Sequence, residues 1–515
     1  MRQTPGGERG LDVTPSLNGN SRGRTGRNRR PGRYPDRMTH FAAETHAARA
    51  VQIPWAARPL ADRLRPVREL RALLVERRST LTTAIEADVE RPPAEVTATD
   101  LLPSASACKY LLTDARRILK DRRAGRTPLW LAGSTDVVVR RPRGVVGVIG
   151  TWNYPLFLNL VPVVHALTAG NAVLWKPSEN TPRFAAAFAD LLAAAGYPPG
   201  LVQTLPATRD AGPHLAEADI DFLHFTGSEA VGRKLAARLG ERLIPSVLEL
   251  SGCDALVVLP DANVRLAARA AWYGLTLNKG QTCLAVRRMF VHADVRAAFV
   301  AELRTLAVAA RPQRLLQPGQ VAQARRLLAE AAGGRETVEA PGTPGDRDFA
   351  PTVVLDATPD LGVCREAIFA PLAALLTFRT ADELLALDAH CPYGLGCSLF
   401  TDGDFADVPR LRVGVVTRGD AIVSTAHPAT PLTGRGASGW GSTQGDEGLL
   451  EMTVPQVLSA RSGSFRPHLD AGLDPRPGDG AIVEGVLRLT HGRGLRERVR
   501  GLTQMVRGVW AVRKR

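Results

Sequence analysis

A stretch without a single Asp, Glu, Lys or Arg, residues 144–175, is the feature that most constrains how this chain can fold. By length alone it could span a membrane. Asn153, Pro155 and Asn159 interrupt it, and its glycine-rich start is typical of a strand followed by a loop, a helix and a second strand. The sequence therefore predicts a buried α/β unit here and not a transmembrane helix.

Strand-like and helix-like segments alternate around this stretch. Residues 56–122 carry apolar side chains at helical spacing, and the strand-like "TDVVVRRPRGVVGVIG" runs into the uncharged stretch. After it, "LVQTLPA", "DFLHFTGS" and "PSVLELSG" are each read as a strand followed by a helical segment, which predicts a parallel, doubly wound sheet. A second α/β region is expected over residues 252–425, and residues 426–461 are glycine-rich and expected to be irregular.

The positive charge of the chain lies in its two ends. The formal net charge is +15, but residues 1–40 and residues 462–515 contribute +6 each, which leaves about +3 for residues 41–461. The core is therefore close to balanced, and a nucleic-acid partner is not indicated. Residues 1–40 are rich in Gly, Pro, Asn and Arg, so they are predicted to be a disordered extension, and they lack the apolar segment of a secretory signal.

The six cysteines show neither a CxxC pair nor metal-ligand spacing with histidine. This pattern favours a reducing cytoplasm over zinc binding or a disulfide framework. Cys283, in "NKGQTC", is of interest because of the motifs around it, although most cysteines are small buried hydrophobes. Within residues 45–460 these are, in order, "GTWNYP", "WKPSE", "FTGSEAVG", "LELSG", "NKGQTC", "CREAIFAPL", "YGLGCSLFT" and "PLTGRGASGWG".

Together these motifs resemble the NAD(P)-dependent aldehyde dehydrogenase superfamily. The resemblance implies an α/β fold with a Rossmann-type cofactor domain, an α/β catalytic domain and a small oligomerisation arm, in a homodimer or homotetramer. The expected divisions are a cofactor domain of residues 41–122 and 143–251, a catalytic domain of residues 252–425, bridging segments 123–142 and 426–461, and a basic C-terminal extension, 462–515.

The resemblance also implies that Cys283, Glu249 and Asn153 carry catalysis. An sp² aldehyde carbon is a poor hydride donor, so a Cys283 thiolate would first form a thiohemiacetal, which becomes a thioester when hydride leaves. The Asn153 amide and the Cys283 backbone N–H would stabilise the oxyanion, and Glu249 would activate the hydrolytic water. The residues alone leave other interpretations open: an inert buried cysteine, a salt-bridged glutamate and a turn asparagine.

A nicotinamide dinucleotide is the expected cofactor, and no metal is expected. Lys176 and Glu179 would bind ribose hydroxyls, and a helix opened by Gly227 would direct its N-terminal amides at the pyrophosphate. Because Glu179 would repel a 2′-phosphate, NAD is expected, with NADP as the alternative. The full set of predicted cofactor-binding residues is Thr151, Trp152, Lys176, Glu179, Gly227, Ser228, Gly232 and Phe369.

Several positions depart from the family pattern. Ala367 stands where the family usually has a Glu that holds the nicotinamide ribose, with Glu366 one place upstream. Ser251 and Cys253 replace the Gly and Lys of "LELGGK". These departures motivate a second hypothesis, a weakened or inactive descendant that serves as a binding or scaffold protein. The presence of all three catalytic residues favours an active enzyme with a small-molecule aldehyde as its substrate.

Near the C-terminus, apolar residues recur at helical spacing among arginines, which predicts a basic amphipathic helix. Two interpretations stay open: a helix packed on the enzyme or its partner subunit, and a helix that lies on a membrane surface. The second would suit long-chain, membrane-derived aldehydes in an enzyme that is cytoplasmic and peripheral to the membrane. The apolar residues are Leu495, Val499, Leu502, Val506 and Val509.

Overall fold

A computed structural model of the protein describes residues 40–131, 133–403, 411–462 and 476–513. The predicted disorder of residues 1–40 lies outside these ranges, apart from His40 at their edge. No helix in the described ranges combines the length and the apolar character that crossing a membrane requires.

The α-helices form where apolar residues recur at helical spacing. Leu64, Val67 and Leu70 are buried along one face of the N-terminal helices, as the sequence predicts. In chain order the helices are α1 (Ala42–Ala56), α2 (Leu60–Arg63), α3 (Arg65–Glu76), α4 (Arg78–Val89), α5 (Pro93–Val96), α6 (Leu102–Ile118), α7 (Pro155–Ala169), α8 (Pro182–Ala194), α9 (Ala211–Glu217), α10 (Glu229–Glu241), α11 (Val264–Thr276), α12 (Arg296–Ala309), α13 (Pro318–Ala331), α14 (Gly362–Arg365), α15 (Ala381–Asp388), α16 (Gly445–Glu451), α17 (Asp479–His491) and α18 (Gly494–Arg513).

The strands are rich in β-branched residues, and the central ones are buried along their whole length, as parallel strands covered on both faces should be. In chain order they are β1 (Arg122–Arg123), β2 (Ser134–Pro142), β3 (Val145–Ile149), β4 (Ala172–Lys176), β5 (Val202–Thr204), β6 (Phe222–Gly227), β7 (Ser246–Leu250), β8 (Asp254–Val258), β9 (Val286–His292), β10 (Gln313–Arg314), β11 (Thr337–Glu339), β12 (Asp348–Phe349), β13 (Thr352–Val354), β14 (Leu372–Phe378), β15 (Tyr393–Gly394), β16 (Gly396–Phe400), β17 (Val415–Arg418), β18 (Arg435–Gly436), β19 (Gly439–Trp440) and β20 (Thr453–Arg461).

The first sheet has the order β19-β7-β6-β3-β4-β5 and is parallel except for β19. The uncharged stretch forms β3, α7 and the start of β4, so the prediction of a buried α/β unit is confirmed. The chain winds from β3 to β4 and β5 on one side and to β6 and β7 on the other. In doubly wound sheets, the position at which the direction of winding changes, here beside β3, opens a crevice at the carboxyl ends of the strands.

The second sheet has the order β11-β13-β14-β9-β8-β16-β17 and is parallel except for β11. The expectation that each strand-like segment precedes a helix is wrong for β7. Residues 251–253 lead directly from β7 into β8 of the second sheet. Glu249 near the end of β7 is thereby carried to the boundary between the two sheets.

A three-stranded antiparallel sheet, β1-β2-β20, joins two segments that are far apart in sequence. The expectation that residues 426–461 are irregular is therefore wrong at their end, where α16 and the nine-residue β20 form. Long-range pairing with β2 stabilises β20, and such pairing is not visible in local composition. The division of the chain into functional domains stays a prediction.

The C-terminal extension forms a helical hairpin of α17 and α18. The two helices approach closely at glycines: a Cβ on Gly485 would lie 2.4 Å from the backbone nitrogen of Met505, and one on Gly501 would lie 2.5 Å from that of Leu489. Gly478 and Gly508 meet in the same way, seven residues from Gly485 and Gly501 respectively. The predicted amphipathic helix is confirmed as α18, and its glycines form the contact with α17.

Two buried histidines, His165 on α7 and His224 on β6, lie close enough to influence each other. Burial lowers the pKa of His165 to about 4 and that of His224 to about 3. Both ring nitrogens of His224 are without a hydrogen-bond partner among the described residues. Both imidazoles therefore fold in the neutral form.

Acid should destabilise the protein through this pair. Unfolded histidines bind protons below pH ~6.5, whereas the folded ones do so only near pH 4 and pH 3. The contribution of each histidine to the free energy of unfolding is thus fully present above pH ~6.5. Below that value it falls by about 1.4 kcal/mol per pH unit. Urea unfolding at pH 7.5 and pH 5 should show a smaller acid loss for His224→Leu than for the wild type. The exposed His390→Leu is the control, and an equal loss in all three proteins would contradict the assignment.

Candidate active site

A cleft of about 530 Å³ opens at the carboxyl edge of the first sheet, a volume within the range of small-molecule sites. One wall is built from residues that follow β3, β4 and β6, and the other from the start of α13 and residues near 367–369. Seven predicted cofactor residues line it: Thr151, Trp152, Lys176, Glu179, Gly227, Ser228 and Phe369.

Lys176 and Glu179 interact at the end of β4. The Lys176 Nζ lies 3.2 Å from Glu179 Oε2, and Arg209 Nε lies 3.1 Å from Glu179 Oε1. Burial acts to raise the pKa of Glu179, but hydrogen bonds from its own backbone N–H, Lys176 and Arg209 outweigh it, so the pKa is lowered. The carboxylate is therefore ionised between two cations. Arg209, which lines the cleft, was missed by the sequence analysis because it lies in a loop without a recognisable motif.

The first turn of α10 reaches the cleft through Gly227 and Ser228, so its N-terminal amides lie at this edge. Gly232 lies one turn further along and faces β7 instead of the cleft. A Cβ at Gly232 would lie 2.4 Å from Leu250 Cδ2, so the absence of a side chain allows α10 to pack closely on β7.

Three glutamines at the N-terminus of α13, the first of them its N-cap, line the opposite wall, and no predicted motif includes them. Gln317, Gln320 and Gln323 recur every third residue, which would have placed them on one helix face. Ala367 also lines this wall, and its carbonyl accepts from Gln323 Nε2 at 3.3 Å. Glu366 instead pairs with Arg326, 2.7 Å away, along α13.

The loop before Cys283 has an unusual backbone. Asn278, Lys279 and Gly280 all have positive φ, of 48°, 61° and 71°. Asn and Gly tolerate this conformation, whereas for Lys it is strained. A Cβ at Gly280 would lie 2.5 Å from the carbonyl carbon of Ala370, so only glycine fits against that segment.

Buried arginines hold this loop against its neighbours. Arg287 donates to the backbone carbonyls of Gly280 and Ala370. Arg91 pairs with Asp100 at 2.7 Å and donates to the Asn153 carbonyl at 3.1 Å. Such fully hydrogen-bonded buried charges fix backbone positions, which is how a strained loop can persist.

Cys283 is half-buried at the end of this loop, beside Glu249 and Asp254. Desolvation, followed by the nearby carboxyls of Glu249 and Asp254, raises the pKa of the Cys283 thiol well above its usual range, although the Leu284 N–H donates to the sulfur. Burial likewise raises the pKa of Asp254. The thiol is therefore protonated at neutral pH, and Asp254 is a neighbour that the motifs did not reveal.

Glu249 is buried, and its Oε1 has no hydrogen-bond partner among the described residues. Desolvation raises the pKa of Glu249 to about 7, against a hydrogen bond with Cys283 that lowers it. This carboxyl therefore changes charge near neutral pH, in contact with the thiol. Isolated buried carboxyls are energetically unfavourable, and perturbed pKa values of this kind cluster at functional sites.

Asn153 is buried between β3 and the Cys283 loop. Its Nδ2 donates to the Gln281 carbonyl at 3.2 Å, and its Oδ1 accepts from Thr151 Oγ1 at 3.1 Å. Its backbone carbonyl accepts from Asn278 Nδ2 at 3.0 Å. The structure therefore brings together the three predicted catalytic residues, which are far apart in sequence, and fixes Asn153 to the loop that carries Cys283.

A thiol, a buried carboxyl and an amide lie together near a cleft of small-molecule size at the carboxyl edge of a doubly wound sheet. This arrangement is typical of α/β enzymes that bind a cofactor at that edge. Comparison with known proteins identifies the family. The model of the aldehyde dehydrogenase family matches residues 37–458. The chain belongs to the aldehyde dehydrogenase family.

Individual relatives agree with this membership. The benzaldehyde dehydrogenase [NAD(+)] of Pseudomonas putida is 32% identical over 437 residues, 81% of this chain and 88% of the relative. The 4,4′-diapolycopene aldehyde oxidase of a Methylomonas species is 31% identical over 423 residues, 79% of each chain.

Solved structures give the same result. A Mycobacterium tuberculosis aldehyde dehydrogenase complexed with NAD+ is 27% identical, with a TM-score of 0.76 over 82% of this chain and 90% of that one. An NADP-dependent glyceraldehyde-3-phosphate dehydrogenase from Bacillus halodurans, complexed with NADP, is 26% identical, with a TM-score of 0.75 over 82% of this chain and 90% of that one.

The predicted family, fold class and enzyme class, an oxidoreductase that acts on aldehydes with a nicotinamide dinucleotide, are thereby confirmed. Both NAD and NADP occur among the relatives. The family match ends at residue 458, so α17 and α18 lie outside it.

Proposed function

We propose that this enzyme oxidises an aldehyde to a carboxylic acid with NAD or NADP, through a thiohemiacetal and a thioester on Cys283, with Glu249 as the general base. The observation that carries the proposal is the contact between Cys283 and Glu249, whose second carboxyl oxygen is buried without a partner. Burying a carboxyl with an unpartnered oxygen opposes folding, so a catalytic role accounts for Glu249 better than a structural one.

Activation of the thiol starts with a proton transfer. The Cys283 thiol is protonated at neutral pH, whereas Glu249, with a pKa of about 7, is partly ionised. The carboxylate therefore accepts the proton from Sγ as the sulfur attacks the carbonyl carbon. The thiolate forms only in the presence of substrate, which protects a half-buried cysteine from side reactions.

The oxyanion that forms on attack needs donors that are already oriented. Asn153 supplies a side-chain amide with two N–H groups, of which one donates to the Gln281 carbonyl. The second N–H and the backbone N–H of Cys283 are the donors that we assign to the oxyanion. The network of Arg91, Asp100 and Asn278 around the Asn153 backbone supports this assignment because it restricts movement of the amide.

Glu249 then acts a second time. After Glu249 has released the thiol proton to solvent, its carboxylate accepts a proton from water, and the resulting hydroxide attacks the thioester carbonyl. The carbon–sulfur bond breaks, the acid leaves, and the proton on Glu249 is transferred to the Cys283 sulfur. The unpartnered Oε1 is the oxygen available to that water. Release returns Cys283 to the thiol form, and the cycle is complete.

The cleft is suited to a dinucleotide. The amides of α10 and the cations Lys176 and Arg209 favour phosphate, while Glu179 can accept hydrogen bonds from ribose hydroxyls. The rings of Trp152 and Phe369, 5.9 Å apart between centroids, form an apolar part of the wall. When bound, the dinucleotide supplies the hydride acceptor. Because Ala367 offers no carboxylate, we assign hydrogen bonding on that wall to Gln320 and Gln323.

The test of this function is a panel of aldehydes of increasing chain length, with NAD and with NADP, followed by absorbance of the reduced cofactor at 340 nm. We expect turnover with at least one aldehyde and formation of the matching acid. Cofactor binding without turnover across the panel would favour the alternative, a catalytically weakened or inactive scaffold protein, which Ala367 and Ser251 motivated.

Cofactor preference should depend on Glu179. Its charge opposes a 2′-phosphate, but Lys176 and Arg209 offset that charge in the structure. We expect NAD to be preferred and Glu179→Gln to shift the ratio of kcat/KM for NADP over NAD upward by about tenfold, since the change removes roughly 1.4 kcal/mol of repulsion. Glu336→Gln, on an exposed carboxylate that pairs with Arg304 outside the cleft lining, is the matched control. A ratio that moves equally in both variants would contradict the role of Glu179.

A homo-oligomer is the assembly that we propose. The strand β20 forms the free edge of the three-stranded sheet. Val454 and Leu458 are exposed on one face of β20 and Val457, 60% exposed, on the other. A long apolar edge strand invites pairing with another chain, and a second copy of this chain would cover it.

The C-terminal hairpin is the part of the chain that we propose to contact an anionic membrane surface. Its glycine seam uses the inward faces of both helices, so the apolar side chains point outward; Leu495 is 78% exposed and Trp510 is 66% exposed. Residues 476–513 hold eight Arg against three acidic residues. Apolar residues flanked by arginines on a helix surface are typical of proteins that lie in the membrane interface. Long-chain aldehydes are the substrate class that suits this location.

Vesicle binding tests this contact. The full chain should co-sediment with vesicles of phosphatidylglycerol and phosphatidylcholine and be released at high salt, because each basic residue near the surface contributes about 1 kcal/mol. Removal of residues 463–515 should abolish binding, and Leu495→Ser with Trp510→Ser should weaken it. Thr503→Ala, on an exposed polar residue of α18, is the control.

The lipid contact is wrong if the full chain stays in the supernatant at low salt. It is also wrong if removal of residues 463–515 changes the oligomeric state but not the amount of protein that co-sediments. In either case the hairpin is an intersubunit element.

A further inference from the structure

Four of the six cysteines, none of them the proposed nucleophile, surround one buried arginine. Arg288 on β9 donates from Nε to the Cys253 carbonyl at 2.8 Å and pairs through Nη1 with Asp388 at 2.7 Å. Its charge acts on all four thiols: Cys253, Cys364, Cys391 and Cys397. Among the residues that the structure describes, no group of His, Cys, Asp and Glu side chains has an arrangement that would hold a metal ion. The cluster therefore calls for another explanation.

Two of these cysteines are in direct contact. The Cys391 Sγ lies 3.9 Å from the Cys253 carbonyl oxygen, and the Cys253 Sγ lies 3.8 Å from the Val363 carbonyl oxygen. Each of the two thiols also shifts the pKa of the other, as neighbouring groups do. Cys253 is fully buried, whereas Cys391 is half-buried in the loop between α15 and β15, beside the exposed Pro392. An oxidant from solvent can thus reach Cys391, and Cys253 lies directly behind it.

The electrostatics distinguish the two thiols. The hydrogen bond with Cys253, then the charge of Arg288 and the backbone N–H of Tyr393, lower the pKa of Cys391 to about 7, against the effect of burial. The hydrogen bond with Cys391, and then burial, raise the pKa of Cys253 well above its usual range. Susceptibility of a cysteine to oxidation follows its thiolate character and exposure, and both favour Cys391.

We propose that Cys391 and Cys253 form a peroxide-sensitive dithiol that oxidises to a disulfide. The Cys391 thiolate attacks a peroxide oxygen: an S–O bond forms, the O–O bond breaks, and the sulfur becomes a sulfenic acid as hydroxide leaves and is protonated to water. The Cys253 thiol then attacks this sulfur, so that an S–S bond forms, the S–O bond breaks, and a second water leaves with the Cys253 proton. Two thiols lose two electrons, and the peroxide gains them.

Both cysteines are connected to the cofactor cleft through their own segments. Cys253 follows Ser251, which lines the cleft, and Glu249, which contacts Cys283. Cys391 is two residues before Tyr393, whose hydroxyl donates to Glu229 in the first turn of α10. An S–S bond of about 2.05 Å is much shorter than a thiol–thiol hydrogen bond, so its formation draws the two segments together. We expect oxidation to lower activity until a reductant restores the thiols.

Thiol counting tests the pair directly, without activity as the readout. In the full chain with Cys283→Ala, five thiols remain, and one equivalent of hydrogen peroxide should reduce the number that react with Ellman's reagent after denaturation to three. The intact mass should fall by about 2 Da, and a non-reduced digest should contain a peptide that joins Cys253 to Cys391. Cys391→Ser added to this protein should keep all of its four thiols, while the matched control Cys364→Ala should still lose two.

Activity of the otherwise unaltered enzyme supplies the second measurement. Peroxide should cause a loss that dithiothreitol reverses, and Cys391→Ser, which has normal activity before treatment, should resist that loss. Retention of all five thiols in the Cys283→Ala protein would overturn the proposal, as would a cross-link to another cysteine. Equal inactivation of Cys391→Ser and the wild type would also overturn it, because the oxidised group would then be Cys283.

Discussion

Cys283→Ala is expected to lower the rate of aldehyde oxidation by about four orders of magnitude or more while cofactor affinity stays within a few-fold of the wild type. The substitution removes the nucleophile and only one heavy atom, and loss of a group that acts in every covalent step has effects of this size. Initial rates at 340 nm measure the first quantity, and calorimetric titration with the dinucleotide measures the second.

The matched control is Cys364→Ala, which removes a buried thiol of the second region's core. It should cost some stability and leave kcat nearly unchanged, because Cys364 packs in this core and not beside Glu249. If Cys283→Ala retained more than a trace of turnover, covalent catalysis by this residue would be wrong. A loss of cofactor affinity in parallel with activity would indicate a structural role for the loop.

Glu249→Gln is expected to slow the burst of reduced cofactor, because the thiol loses its proton acceptor, and to slow the turnover that follows still more, to about 10²–10³-fold below that of the wild type. A glutamine cannot accept a proton from water, so the thioester accumulates after one turnover per site, within the usual range of general-base effects. Stopped-flow absorbance with excess aldehyde measures the amplitude and both rates.

The pH dependence of steady-state turnover gives a further test of the Glu249 carboxylate. Because the pKa of Glu249 is about 7, the base becomes active above that pH, and steady-state turnover of the wild type should rise through neutrality. In Glu249→Gln this rise should disappear. Equal losses of burst and steady state would mean that Glu249 acts in thiol activation alone.

The sequence was sufficient for the main features of the fold. Residues 144–175 lack charged side chains, and burial between two layers of helices explains that composition, so the β3-α7-β4 unit followed from local pattern. The same holds for α18, whose apolar spacing is visible without tertiary information. Local pattern was insufficient for β20, since its partner β2 lies more than 300 residues away in sequence, and pairing between such distant segments leaves no periodicity in either one.

The identity of the candidate site residues could also be predicted from the sequence, through motifs in a fixed order. The pKa values of these residues could not be predicted from it. Nothing in "LELSG" or "NKGQTC" indicates that Glu249 titrates near neutrality or that Cys283 is a protonated thiol. These properties arise from desolvation and from the approach of Asp254, which depend on how the two sheets meet.

The sequence by itself determined the family, the doubly wound fold and the candidate residues for the chemistry, because each depends on local side-chain pattern. Tertiary structure alone decided that Gly232 packs on β7, that glutamines of α13 line the cleft opposite Ala367, and that Cys253 and Cys391 touch. The physical reason is that a contact between distant segments depends on how the whole chain packs. The spacing of apolar residues, in contrast, can be recognised within a single segment of the sequence.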